Sequence, residues 1–121
     1  MKNNIDCCDN HLIHKDLVEK CQDQLLIDTV ALKISNFIKV LADSTRIKMI
    51  HLLLENELCV CDIAELLQMN QPAVSQQLKT LKQANIVIYH RVGHNVFYTL
   101  SDNCVKQMIN EVKTHVLDHK I

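Results

Sequence analysis

Apolar residues return at three- and four-residue spacing from Leu25 onward: Leu25, Ile27, Val30, Ile34, Phe37, Ile38 and Leu41. That period marks one face of an α-helix and predicts an amphipathic helix over residues 24–40. Asp43-Ser44-Thr45 interrupts the stripe, and such short polar side chains suit the start of a new helix. Ile47, Ile50, Leu53 and Leu54 form the next stripe and predict its buried side. Residues 57–61 read as a short extended segment. Asp62, with Glu65 three residues on, resembles a capping box and predicts a helix over 62–69. Asn70-Gln71-Pro72 reads as a turn and restart, with Pro72 in a first helical turn where its missing N–H is not needed. Val74, Leu78 and Leu81 give this next helix a core stripe through about Ala84.

The period then changes. Residues 86–90 and 96–100 read as two strands. The single glycine, Gly93, lies between them, where a hairpin turn needs a positive φ. Ser101 or Asp102 starts a last helix with Val105, Met108, Ile109, Val112 and Val116 on one face. Residues 1–21 carry little apolar surface before Leu17-Val18 and read as a partly ordered arm. Residues 22–121 form the folded domain. Helix, helix, helix–turn–helix, β-hairpin, helix is the order of a winged helix-turn-helix, a mainly α (α+β) fold with flanking helices.

Length and composition narrow the function classes. At 121 residues the chain is one domain with short tails. One Gly and one Pro exclude collagen-like and turn-dense all-β chains. No apolar run approaches 18 residues, so no membrane span is expected. The segment Met1-Lys2-Asn3-Asn4-Ile5-Asp6 lacks the apolar core of a signal peptide. Six cysteines without such a signal point to metal or redox chemistry in a reducing cytoplasm. There is no Gly-rich phosphate loop, nucleophile–base motif or open-site zinc signature, so an enzyme is not expected.

The net charge is −1, from 13 basic and 14 acidic residues, so nucleic-acid affinity requires local charge placement. The sequence supplies it. Residues 66–101 hold no Asp or Glu, but do hold Lys79, Lys82, His90, Arg91 and His94. This window coincides with the helix–turn–helix and hairpin, as a DNA-binding face requires. Ser75, Gln76, Lys79 and Lys82 lie away from the Val74/Leu78/Leu81 stripe. Gln can bond an adenine edge at two points, and Ser can bond a base or a phosphate. Lysines suit phosphates, which position without reading sequence. With Gln71 and Gln77 on the same helix and Arg91 near the hairpin tip, these are the candidate contacts to double-stranded DNA.

Cys59 and Cys61 are two residues apart. On a helix they would sit about 200° apart, but in an extended segment they share a face. Both sulfurs would then point at one ion, and thiolates favour soft or borderline metals such as Cd, Pb, Zn or As(III). The arm offers further donors in Cys7, Cys8 and His11, with His14 as a spare. A second donor set lies on the last helix. At 100° per residue His115 and Asp118 fall about +20° and −40° from Cys104, on one stripe, and Asp102 sits just before it. Asp, Cys, His and Asp can bind Zn tetrahedrally. Cys21 reads as structural, and His51, among apolar neighbours, as a core or interface residue.

Four segments carry a family resemblance: Leu41-Ala42-Asp43-Ser44-Thr45-Arg46, Glu57-Leu58-Cys59-Val60-Cys61-Asp62-Ile63-Ala64, Gln71-Pro72-Ala73-Val74-Ser75-Gln76-Gln77-Leu78 and Tyr98-Thr99-Leu100. Together they resemble the ArsR/SmtB family of winged-helix repressors over roughly residues 25–118. Cys-Val-Cys-Asp and the thiol-bearing arm are similar to its CadC-type cadmium/lead sensors. The resemblance implies a homodimer, joined through its flanking helices, that leaves operator DNA when Cd, Pb or Zn binds. It implies that arm cysteines of one protomer join the Cys59/Cys61 pair of the other. Cys7 matches the usual arm position. A second arm cysteine would fall near His11, so Cys8 or His11 must substitute. The family's last-helix zinc pattern, Asp-x-His, ten residues, then His-x-x-Glu or His-x-x-His, is matched in spacing by Asp102, Cys104, His115 and Asp118, with two residue types changed. The same segments also resemble thiol-redox or persulfide sensors, with Cys104 as a reactive thiol, and arsenite-responsive repressors. The controlled gene implied is an efflux or detoxification function.

Overall fold

The computed structural model describes residues 13–119, as helices α1 (Lys15–Gln22), α2 (Asp28–Leu41), α3 (Ser44–Leu52), α4 (Val60–Leu67), α5 (Gln71–Gln83) and α6 (Asn103–Asp118), with strands β1 (Val87–Val92) and β2 (Asn95–Leu100) between α5 and α6. This is the winged helix-turn-helix that the periodicity predicts. The chain divides into two units, Met1–Ile34 and Ser35–Ile121. In the first, α1 is a helix within the segment read as an arm, and it buries no side chain. Cys21 lies exposed in its last turn rather than in a core.

The second unit holds the core. Met49, Ile50, Leu53, Ile63, Val74, Leu78, Leu81, Ile86 and Val87 are all fully buried. Phe37, Val40 and Leu41, at the end of α2, pack against this cluster. Three sequence expectations are corrected. Helix α2 starts at Asp28, not Gln24, so Leu25 and Ile27 precede it. In α3 the phase differs: Met49 is buried, whereas Ile47 remains 37% exposed. At 100° per residue Met49, Ile50, Leu53 and Leu54 share one arc, and Ile47 falls about 90° from its centre. In α6, Val105 and Ile109 are buried, but Val112 and Val116 at the same spacing are exposed. The apolar stripe of α6 is therefore longer than the core it meets.

Each element of the DNA-binding half is closed by a local device. Asp43 accepts from the Arg46 backbone N–H at 3.0 Å and caps α3. Helix α4 ends on Gln68 in a left-handed conformation, φ 54°, and Asn70 caps α5 through the Ala73 N–H at 2.8 Å. Strands β1 and β2 pair antiparallel from Val87↔Leu100 to Val92↔Asn95. That register leaves a two-residue turn, in which Gly93 has φ +62°, a region where a side chain is strained. Ile86 ties the wing to α5 through its N–H to the Leu81 carbonyl at 2.9 Å, and accepts from the Ser101 N–H at 2.9 Å.

Candidate metal centre and nucleic-acid interface

Helix α5 is amphipathic in the sense a reading helix needs. Val74, Leu78 and Leu81 fix its inner side in the core. Gln71, Ser75, Gln76, Lys79 and Lys82 are exposed, free of acidic neighbours in sequence. Three candidates have side-chain partners, Gln71 through Cys61 and two others. Lys82 Nζ lies 4.2 Å from the ring centroid of Tyr89 on β1, which holds its charge against the wing. Gln77 is half-buried, and its Oε1 accepts from Arg46 Nε at 2.8 Å. Arg91 is exposed near the end of β1, opposite Val96. His90 stacks on Phe97 at 6.0 Å and lies 3.4 Å from Glu57, an acid from outside the acid-free window. The Arg46 and Glu57 contacts link residues 31 and 33 positions apart, so periodicity carried no signal for them.

The cysteine pair is placed differently from the sequence expectation. The segment is extended only up to Cys59. Helix α4 begins at Val60, with Cys59 as its N-cap (φ −91°, ψ 171°) and Cys61 already in the first turn. Asp62 is not the cap: it is the third helical residue, and its carboxylate accepts from the Cys59 N–H at 3.2 Å. The reason lies one residue upstream. Leu58 makes an isolated bridge to Tyr98 of β2, its N–H donating at 3.1 Å and its carbonyl accepting at 2.8 Å. That bridge ends the extended chain, Cys59 follows as the N-cap, and the helix starts at Val60. Cys59 is half-buried and Cys61 exposed. Cys61 Sγ accepts from Gln71 Nε2, at the first position of α5, at 3.4 Å. Cys61, Glu65, Gln68, Asn70 and Gln71 line a shallow polar hollow between α4 and α5.

Two thiols at an accessible helix start suit a soft ion, but they are half of a four-donor set. Among the described residues no cluster of three or more His, Cys, Asp or Glu side chains is preformed. Cys7, Cys8 and His11 lie outside the described residues. In α6, Asp102 is the N-cap, accepting from the Val105 N–H at 3.1 Å. Cys104 is exposed in the first turn; His115 and Asp118 are exposed in the last turns. With a rise of about 1.5 Å per residue, the two ends are roughly 16 Å apart. One chain cannot close this set on one ion. The His119 ring lies tilted against that of His115, centroids 4.2 Å apart, and its Nδ1 lies 2.9 Å from the His115 carbonyl. His51 is exposed rather than core, with Nε2 2.9 Å from Lys113 Nζ.

The model of a family described as bacterial regulatory protein, arsR family, matches residues 43–89, from the cap of α3 into β1. Over 109 residues the chain is 38% identical to a transcriptional repressor SmtB homolog of Synechocystis sp., spanning 90% of this chain and 83% of that one. The chain belongs to the arsR family. A second relative of this arsR-family protein is a cadmium resistance transcriptional regulatory protein CadC homolog of Staphylococcus aureus, 34% identical over 91% of each chain. A solved homodimeric winged helix-turn-helix DNA-binding domain from Mycobacterium bovis superposes with a TM-score of 0.71 at 26% identity, covering 78% of this chain and 90% of that one. The arsR-family protein is thus a winged-helix transcriptional regulator and not an enzyme. Among the described residues no helix is long and apolar enough to cross a membrane.

Proposed function

We propose that this arsR-family regulator is a cytoplasmic, homodimeric repressor that holds operator DNA and releases it when a soft or borderline metal ion, Cd, Pb or Zn, occupies a thiolate site. The observation that carries this reading is the wiring of the Cys59/Cys61 segment. Leu58 is bridged to Tyr98 in the wing, and Cys61 accepts from Gln71 at the start of α5. Cys61 therefore touches α5 directly, and Cys59 directly follows the residue bridged to the wing, so the segment is tied to both elements that are read as facing DNA. A bound ion supplies a rigid link between sulfurs, drawing its remaining donors from Cys7, Cys8 or His11. Asp102, Cys104, His115 and Asp118 form a second candidate set across the dimer. Its members from each chain sit at opposite ends of α6, as two-fold pairing requires.

On the DNA side, Ser75, Gln76 and Gln71 face base edges and phosphates in the major groove. Lys79, Lys82 and Arg91 contact phosphates. Paired recognition helices give an operator of imperfect palindromic form. Coupling of metal and DNA is reciprocal: if metal weakens DNA binding, DNA weakens metal binding by the same factor.

The test is an anaerobic titration of the reduced protein with Cd(II), read by ultraviolet thiolate-to-metal absorption. The wild type is expected to show a saturating band that falls sharply in Cys59→Ser and in Cys61→Ser. No band, or one unchanged in both variants, overturns the assignment of this pair and turns attention to Cys104 or to thiol oxidation.

A further inference from the structure

Arg46 is a charged residue on the wrong side of its helix. At 100° per residue it falls inside the arc of Met49, Ile50 and Leu53, the buried face of α3. Arg46 is half-buried, and its guanidinium donates in two directions. Nε donates to Gln77 Oε1 of α5 at 2.8 Å. Nη1 donates at 3.0 Å to the carbonyl of Val40, in the last turn of α2, where carbonyls have no partner within the helix. Its own backbone N–H is held by the Asp43 cap. The ends of α2, α3 and the middle of α5 are thus joined through one planar group whose donors are fixed relative to each other.

The other polar contacts of α5 to neighbouring segments lie toward its two ends, Gln71 Nε2 to Cys61 Sγ and the Leu81 carbonyl to the Ile86 N–H. Val74, Leu78 and Leu81 hold the helix by apolar contact, which is strong but non-directional. Such contact holds the middle of the helix by shape alone, without a directional bond. Base recognition needs side chains placed within about 0.5 Å. The Arg46–Gln77 bond is the directional contact on the inner side of α5. Gln77 is then spent on the inside of the protein and not on a base.

We propose that Arg46 is a positioning residue for DNA recognition: acting through Gln77, it sets the roll of α5 against α2 and α3 and makes no contact with DNA itself. The proposal rests on α5 being the reading helix. It does not depend on the metal.

The experiment uses the full chain and an operator duplex selected from a random pool. Affinity is read by fluorescence anisotropy across a salt series, for wild type, Arg46→Ala, Arg46→Lys, Gln77→Ala and the double variant Arg46→Ala/Gln77→Ala. Each single variant is expected to lose about tenfold in affinity, the double variant no more than the worse single one, because both sit in one contact. The salt slope is expected to stay at the wild-type value, since a lost phosphate contact lowers it by about one. Arg46→Lys keeps the charge and the fold but cannot make both bonds, so it carries the test if Arg46→Ala does not fold. Additive losses, a slope reduced by about one, or an Arg46→Lys protein with wild-type affinity each overturn the proposal. If the selection yields no bound duplex at all, the DNA-reading role of α5 fails first and this inference with it.

Discussion

Gln71 has one side-chain amide and two claims on it. It sits at the first position of the reading helix, and its Nε2 donates to Cys61 Sγ at 3.4 Å. A sulfur carrying negative charge accepts such a bond more strongly than a neutral one, so under the proposed function occupation of the cysteine pair is expected to hold Gln71 against α4 and away from DNA. Gln71→Ala is expected to keep the Cd(II) absorption band while shrinking the metal-driven loss of operator affinity by about threefold, the worth of one hydrogen bond. An unchanged metal response would assign the coupling to the Leu58–Tyr98 bridge instead. As a candidate, the cysteine pair stands out in the sequence, because two thiols in a Cys-Val-Cys-Asp context are chemically distinct. Its conformation does not. Cys59 becomes an N-cap because Leu58 pairs with Tyr98, 40 residues further on, and no local rule contains that partner.

Elements were legible to the extent that their own residues decide them. The three-residue stripe of α5, the cap at Asn70 and the turn at Gly93 all lie where short-range chemistry places them. The start of α2, the phase of α3 and the exposed end of α6 depend on what each helix packs against, and there the periodicity misled. Ile47 carries the right residue type, but Arg46 occupies the inward position because it has two partners to bond there. Helix α6 shows the same ambiguity in chemical form: Asp102 is both a possible metal donor and, in the structure, the cap of the helix. As a cap, Asp102→Ala is expected to cost about 1 kcal/mol in chemical denaturation and to leave the Cys59/Cys61 absorption band unaltered. A loss of zinc affinity in the reduced variant, beyond that stability change, would give the last-helix set a functional role.

At the scale of the molecule, charge is sorted rather than excessive. The net charge is −1, yet residues 66–101 hold no acid, and within them α5 and the wing expose Lys79, Lys82 and Arg91. Operator affinity is therefore expected to fall steeply with salt through counterion release. Lys79→Ala should lower the slope by about one per protomer while weakening all DNA sequences alike. The exposed apolar residues Val112 and Val116 on α6 continue the core stripe past the core that it meets, in keeping with the proposed homodimer. The central claim is that the Cys59/Cys61 segment transmits metal occupancy to the DNA-binding face. It is tested most directly by adding Cd(II) anaerobically to the preformed protein–operator complex and following release by anisotropy, with Cys59→Ser and Cys61→Ser in parallel. The account predicts that wild type is released under full reduction, while both variants bind the operator normally and stay bound. Release of both variants at the wild-type metal concentration, or retention of the wild type, would contradict it.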